Sequence, residues 1–337
     1  MQKHALSFFL FVLCSASGQQ NSVNSKLLAP LDPELSVPTR QLKATSSTLT
    51  EVPYFTFYDA AKCDQSGEMF FHTGSLNSME VLKLKLISGS AEPTVYKATS
   101  EFVTQKAGFL VNFSVSPSGD LWMIGESGDR EYYLFSFDSN GDPKTSSKLD
   151  VPEHLEIRDF AVSNSDMLLI SGYFDRSAAS GLQGKTFISL LDSSGKIRKR
   201  LDLESQKHDF ALEKLHEDSV VFGDDGLLYT LEPSGIFVIS PAGSLVRQIK
   251  FDKPPGFSAV NLAISGGYLA VWLYKPSKNG PTVAEFLVID ANNGKSLALY
   301  KPTDETGDVA LCYSRKEGFT MWQLENHRIR LTIASPR

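Results

Sequence analysis

Beyond residue 50 the chain keeps one rhythm of apolar and polar positions almost to its end. Runs of four to seven residues rich in Val, Ile, Phe, Tyr and Leu are punctuated by Gly, Asp, Asn and Pro. That is the pattern of short strands joined by tight turns. Helical periodicity is poor throughout, and its best stretch is Phe210 to His216. One motif recurs: an Asp or Asn, an apolar residue, an Ala or Ser, then usually another apolar residue. It reads Asn112-Phe113-Ser114-Val115, Asp159-Phe160-Ala161-Val162, Asp209-Phe210-Ala211-Leu212, Asn261-Leu262-Ala263-Ile264 and Asp308-Val309-Ala310-Leu311. A weaker copy is Asp59-Ala60-Ala61-Lys62. These Asx positions lie 53, 47, 50, 52 and 47 residues apart. A supersecondary unit of about fifty residues is therefore used several times.

Within one unit the pattern predicts four antiparallel strands, at Phe109–Val115, Leu121–Ile124, Tyr132–Phe137 and around Ser147-Lys148-Leu149. Between them lie the turn Ser116-Pro117-Ser118-Gly119, the loop Gly125–Arg130 and the hairpin turn Asp138-Ser139-Asn140-Gly141. Similar hairpin turns recur at Asp192-Ser193-Ser194-Gly195, Ser240-Pro241-Ala242-Gly243 and Asp290-Ala291-Asn292-Asn293-Gly294. Repeated four-stranded units of this kind are the blades of an all-β propeller. A mature chain of about 310 residues holds about six of them. The last unit has strands at residues 309–313, 319–323 and 328–333 and then stops, one strand short. A spare strand within residues 35–43 is expected to supply the fourth and close the ring. In the fourth unit two inner strands compete, Asp209–Leu212 and the run Val220–Tyr229.

The run of inner strand, Gly-containing turn, strand, loop, strand and Asp-x-x-Gly resembles the six-bladed propellers of the NHL-repeat type, over residues of about 54–333. Here an Asp or Asn stands where the leading Gly of that motif would be. Some six-bladed propeller hydrolases, of the lactonase and paraoxonase type, hold calcium in the channel with Asp, Asn and Glu. The resemblance therefore implies calcium as a possible cofactor.

The N-terminus changes the picture of where the protein works. Lys3 and His4 precede an apolar run from Ala5 to Leu13, and Cys14-Ser15-Ala16-Ser17-Gly18 supplies small residues for cleavage. This is the layout of a secretory signal peptide over residues 1–18, too short to span a membrane. A polar leader follows at residues 19–30, and the propeller is expected over residues 31–337. The protein is expected to be secreted or periplasmic. Leu13 precedes Cys14 where a lipoprotein signal has a small residue, so simple cleavage is favoured over lipidation. No later segment is apolar enough to cross a membrane. Two further cysteines, Cys63 and Cys312, follow their Asx residues by four positions each. An even count in an oxidising compartment points to a bridge. Equal register on the two strands points instead to two buried thiols facing the same way round the ring.

The net charge of −6 and the lack of a basic face exclude nucleic acid as a partner. The basic run Lys196-Ile197-Arg198-Lys199-Arg200 reads as an edge strand. Asp59, Asn112, Asp159, Asp209, Asn261 and Asp308 are expected to ring the channel mouth with Arg158 and His208. Such a ring favours a bound cation or raised carboxyl pKa values. The competing and preferred reading is that each Asx caps a local turn. On the same face, Tyr173, Arg176, Trp272 and Tyr274 suit recognition of a carbohydrate, peptide or protein, although Trp272 and Trp322 equally suit packing between blades. The expectation is a monomeric binding module, with a calcium-dependent hydrolase as the alternative. Asn112-Phe113-Ser114 is a glycosylation sequon within an inner strand, where folding would make it inaccessible.

Overall fold

A computed structural model describes residues 37–51, 61–64, 68–72, 80–84, 94–97, 107–204, 206–208, 219–275, 283–303, 309–325 and 328–336. The first strand, β1, spans Thr39–Glu51. Five complete antiparallel units follow. The first holds β2 (Ala61–Cys63), β3 (Met69–His72), β4 (Glu80–Leu84) and β5 (Thr94–Lys97). The second holds β6 (Phe109–Val115), β7 (Leu121–Glu126), β8 (Tyr132–Phe137) and β9 (Pro143–Lys148). The third is β10 (Leu155–Val162), β11 (Leu168–Phe174), β12 (Thr186–Leu191) and β13 (Ile197–Leu201). The fourth is β14 (Val220–Phe222), β15 (Leu228–Glu232), β16 (Gly235–Ile239) and β17 (Leu245–Ile249). The fifth is β18 (Ser258–Ser265), β19 (Tyr268–Lys275), β20 (Val283–Asp290) and β21 (Ser296–Lys301). The chain ends in β22 (Val309–Ser314), β23 (Gly318–Glu325) and β24 (Arg328–Pro336).

The inner strands neighbour one another in cyclic order, β2, β6, β10, β14, β18, β22, with β22 returning to β2. The sixth sheet takes β1 as its outermost strand, antiparallel to β24 from Leu42–Pro336 to Glu51–Arg328. At its other end β1 runs parallel to β21, joining the fifth and sixth sheets edge to edge. The fold is a six-bladed β-propeller, and Leu35–Arg337 form one compact unit. The added strand is longer than its apolar pattern indicates. It runs through Ser46, Ser47, Thr48 and Thr50, which pair through their backbones and need no apolar side chain on an outer strand. In the fourth blade Val220–Phe222 is an inner strand, while Asp209–Leu212 and the Phe210–His216 stretch lie outside the described residues.

Four inner strands carry the same irregularity. Register shifts fall between Leu110 and Asn112, Ile157 and Asp159, Ala259 and Asn261, and Ala310 and Cys312. Each is a bulge that adds one residue and re-aims the side chain after it. In the third blade Gly172 makes room, because a Cβ there would lie 2.3 Å from the Glu156 carbonyl oxygen. A glycine inside a strand often marks such a close approach.

Apolar side chains fill the gaps between blades. Phe160, Val162, Leu168 and Ile170 of the third blade meet Trp122, Ile124 and Leu134 of the second in the largest cluster. Each such burial stabilises the fold by about 1.5–3 kcal/mol. Leu262, Leu269 and Val271 do the same against Leu231, Ile236 and Val238. The strand β13, holding the basic run, is the outermost of its blade.

Candidate functional site

The inner strands begin at one face of the ring, called upper here, and end at the other. A cavity of about 620 Å3 occupies the channel towards the lower face and is lined by Lys62, Ser114, Ala161, Val220, Asn261 and the two cysteines among others. Asp159 lies above it, with no exposed surface. Its Oδ1 accepts from Lys62 Nζ at 2.5 Å and from Asn112 Nδ2 at 3.0 Å, and its Oδ2 accepts the Val220 N–H at 2.7 Å. Asn112 Nδ2 also donates to the Arg158 carbonyl at 2.9 Å, and Asn112 Oδ1 accepts from Phe113 N–H. These two residues therefore tie the inner strands of the first four blades together. Each reaches the next blade, and Asn112 also keeps a local bond to the Phe113 N–H.

The sequon at Asn112 is buried, with its amide engaged in these bonds. Among the described residues, the donors around Asp159 do not fit calcium, which needs six to eight oxygens. Both Asp159 oxygens are committed, and one of their partners is already a cation. Among the described residues no group of three or more His, Cys, Asp or Glu converges as a metal site. Asn261 follows its own bulge and lines the channel. Asp59, Asp209 and Asp308 lie outside the described residues.

Cys63 and Cys312 form a disulfide, with 5.7 Å between their Cα atoms. The bridge overturns the equal-register expectation of two separate thiols. Cys312 directly follows the shift in β22, and its side chain meets that of Cys63 across the seam between the first and sixth blades.

On the upper face a recess of about 450 Å3 opens over the third blade, lined by Arg130, Glu156, Tyr173, Asp175, Arg176 and Ser177. Arg130 sits at the tip of the β7–β8 loop with φ near 60° and bonds Asp175 Oδ2 through Nη1 at 2.5 Å. Asp175 Oδ1 accepts from the Ser177 hydroxyl and from the N–H groups of Ser177 and Ala178, at 2.6 to 3.0 Å. It is the cap that starts the Asp175–Lys185 loop. Burial pushes its carboxyl up, but the Ser177 bonds, Arg130 and Ala178 outweigh that and hold it below the ordinary aspartate value. The Ser177 hydroxyl also meets His154 Nδ1 at 2.9 Å. Burial, then the Glu156 charge, raises Glu126 above the ordinary glutamate value against Arg130 and Tyr132.

Beneath the recess, between the third and fourth blades, the interface is polar. Glu232 accepts through Oε1 from the hydroxyls of Ser171 and Thr230, both at 2.7 Å, and its Oε2 faces Arg158 Nη1 at 4.0 Å. Burial raises the Glu232 pKa, with Arg158 and the two hydroxyls opposing. The Tyr173 ring stacks on His208 at 3.8 Å between centroids and 7° between planes. Tyr173 is therefore covered, and Arg176 is exposed. Trp272 and Tyr274 are on strand β19 and away from this recess. Trp272 packs against Phe286 in the cluster between the fifth and sixth blades, and Trp322 packs edge-on against Phe71.

Of the expected ring, the structure brings Asn112 and Asp159 into contact, and Tyr173 onto His208. Lys62, Val220, Glu232 and Glu156 were not anticipated. Lys62 had a signal, since it occupies a position of the weak first copy where other copies hold an apolar residue. Val220 had none, because it contributes only its N–H.

No protein-family model matches the chain, and no curated protein matches it in sequence. Solved structures do. A gluconolactonase from Xanthomonas campestris aligns with a TM-score of 0.50 and 13% identity, over 91% of this chain and 99% of that one. The fold is shared. The WD40 domain of Pan2 from Neurospora crassa aligns at 0.49 and 13% identity, over 88% of this chain and 98% of that one. At 13% identity the likeness to the gluconolactonase speaks for the propeller fold alone.

Proposed function

We propose that this propeller is an exported, monomeric binding module that takes a peptide or protein segment in the upper recess of the third blade. The observation that carries it is the character of the recess. Its aromatic ring, Tyr173, is covered by His208, while the exposed Arg130 and Arg176 stand beside Glu156 and Asp175. A sugar ring needs an open aromatic face to stack on, and a charged polypeptide needs paired ions of both signs. Support for export comes from the signal-like layout of residues 1–18 and from the disulfide, which belongs to oxidising compartments.

Selection from a displayed peptide library tests this reading, with a glycan array as the competing probe. The expected result is enrichment of charged peptides whose affinity falls about tenfold in Arg130→Ala/Arg176→Ala and weakens with salt. Glycan binding without peptide enrichment, or peptide binding indifferent to both arginines, would overturn it.

A further inference from the structure

We propose that Cys63–Cys312 is a reductant-accessible clasp that closes the ring between the first and sixth blades, and that a small dithiol entering the channel opens that seam alone. The position of Cys312 supports this first. It directly follows the bulge of β22, as Asn112 and Asp159 follow those of the second and third blades, with the sixth-blade bulge displaced towards the hairpin. Asn112 bonds the third blade and Asp159 the fourth, so the residue after the bulge is the link to the next blade. For the sixth blade the next one is the first, and there the link is covalent.

Access is the second observation. Both cysteines line the channel cavity and are only half-buried, unlike the sealed cores between blades. Locality is the third. The bridge spans 249 residues of sequence and adds a covalent tie, at the channel, to the seam that the chain passes on its way from β1 to β2. Across the same seam Phe71 and Met69 pack on Ile329, Leu331 and Trp322. The clasp acts independently of what the upper recess binds.

The chemistry balances. A thiolate of the dithiol attacks one sulfur of the bridge, forming a mixed disulfide and releasing the other cysteine as a thiolate. The reagent's second thiol then displaces the mixed disulfide. The reagent leaves as a cyclic disulfide, two electrons have passed to the protein, and the two released sulfurs are protonated.

The test treats the full chain with dithiothreitol at neutral pH without denaturant. Thiols are counted with a chromogenic disulfide, and hydrogen exchange is followed by mass spectrometry. Both cysteines should titrate in the folded protein, apart from any thiol of Cys14. Exchange should rise about tenfold in β1, β2, β22 and β24, with β10 to β12 unchanged. The melting temperature should fall by about 10 °C, since a long loop is released in a chain of this size. Trp322 emission should shift with the same rate constant as thiol release. The double variant Cys63→Ser/Cys312→Ser should reproduce the opened seam and ignore the dithiol. If that variant does not fold, reduction of the wild-type chain still decides. No thiol release before global unfolding, or exchange rising equally in all blades, would overturn the clasp.

Discussion

Asp159 and Phe160 are neighbours on one strand, yet they face two different kinds of interface. Phe160 points to the second blade, into a cluster of Trp122, Ile124, Leu134 and Ile170, with the Lys62 ammonium 6.0 Å from its ring centroid. Asp159 points to the fourth blade and to the axis, where Lys62, Asn112 and the Val220 N–H meet it. Above Asp159 the same interface continues through Arg158, Ser171 and Glu232, and only below it do Ala161, Leu169, Val220 and Leu228 pack as a dry cluster. The second and third blades are joined mainly by apolar area, with directed bonds from Asn112, Tyr132 and Arg130 at its margins. The third and fourth are joined in their upper half by a few directed bonds, which fix position but tolerate little change. The recess lies over the polar joint, so its walls are held in place by hydrogen bonds.

The comparison breaks most strongly at Asp159. Asp159→Ala strands a mostly buried ammonium and a backbone N–H, and should cost about 3–5 kcal/mol in urea unfolding. Adding Lys62→Met should recover a large part of that loss, because an apolar replacement of both partners removes the stranded charge. Phe160→Ala should follow at about 3–4 kcal/mol, through lost burial and a cavity, and Lys62→Met should not rescue it.

A smaller effect separates the two interfaces by pH. Glu232 has its folded pKa raised by burial, so the folded state binds more protons than the unfolded one above the ordinary glutamate value. Its contribution is fully present below that value and is lost as pH rises through the raised one. Glu232→Gln should flatten stability across this window, read as urea midpoints at a series of pH values. Asp175 runs the opposite way. Its lowered pKa gives a contribution that is present above the ordinary aspartate value and lost as pH falls through the folded one. Asp175→Asn should remove part of the acid-side loss. Smallest of all, Arg130→Ala should leave the urea midpoint unchanged while weakening peptide binding, since an exposed ion pair adds little to stability.

Much of the architecture is legible in the sequence. Phe109–Val115 and Tyr132–Phe137 are strands with the bounds their alternation indicates. The missing strand of the last blade was recognisable as a deficit at the C-terminus and a surplus near residue 40. The site was much less legible. The Asx repeat marked the right positions in the second and third blades for a reason other than the one expected. A bulge cannot be read from alternation alone, since it breaks the period by one residue and alters which neighbour a side chain meets. A bulge also precedes Cys312, which reaches Cys63 although their equal spacing from Asp308 and Asp59 argued against it.

The sequence alone determined the repeated four-stranded unit, because alternation and turn residues act over a few positions and are the same in every blade. It also determined the net charge of −6, which argues against a nucleic-acid partner. Only the tertiary structure decided that Asp159 serves Lys62, Asn112 and Val220, that Tyr173 lies under His208, and that two cysteines join the ends of the ring. These contacts join residues 35 to 249 positions apart. Their partners are set by the angle between neighbouring blades and by one extra residue in an inner strand, and local pattern carries neither.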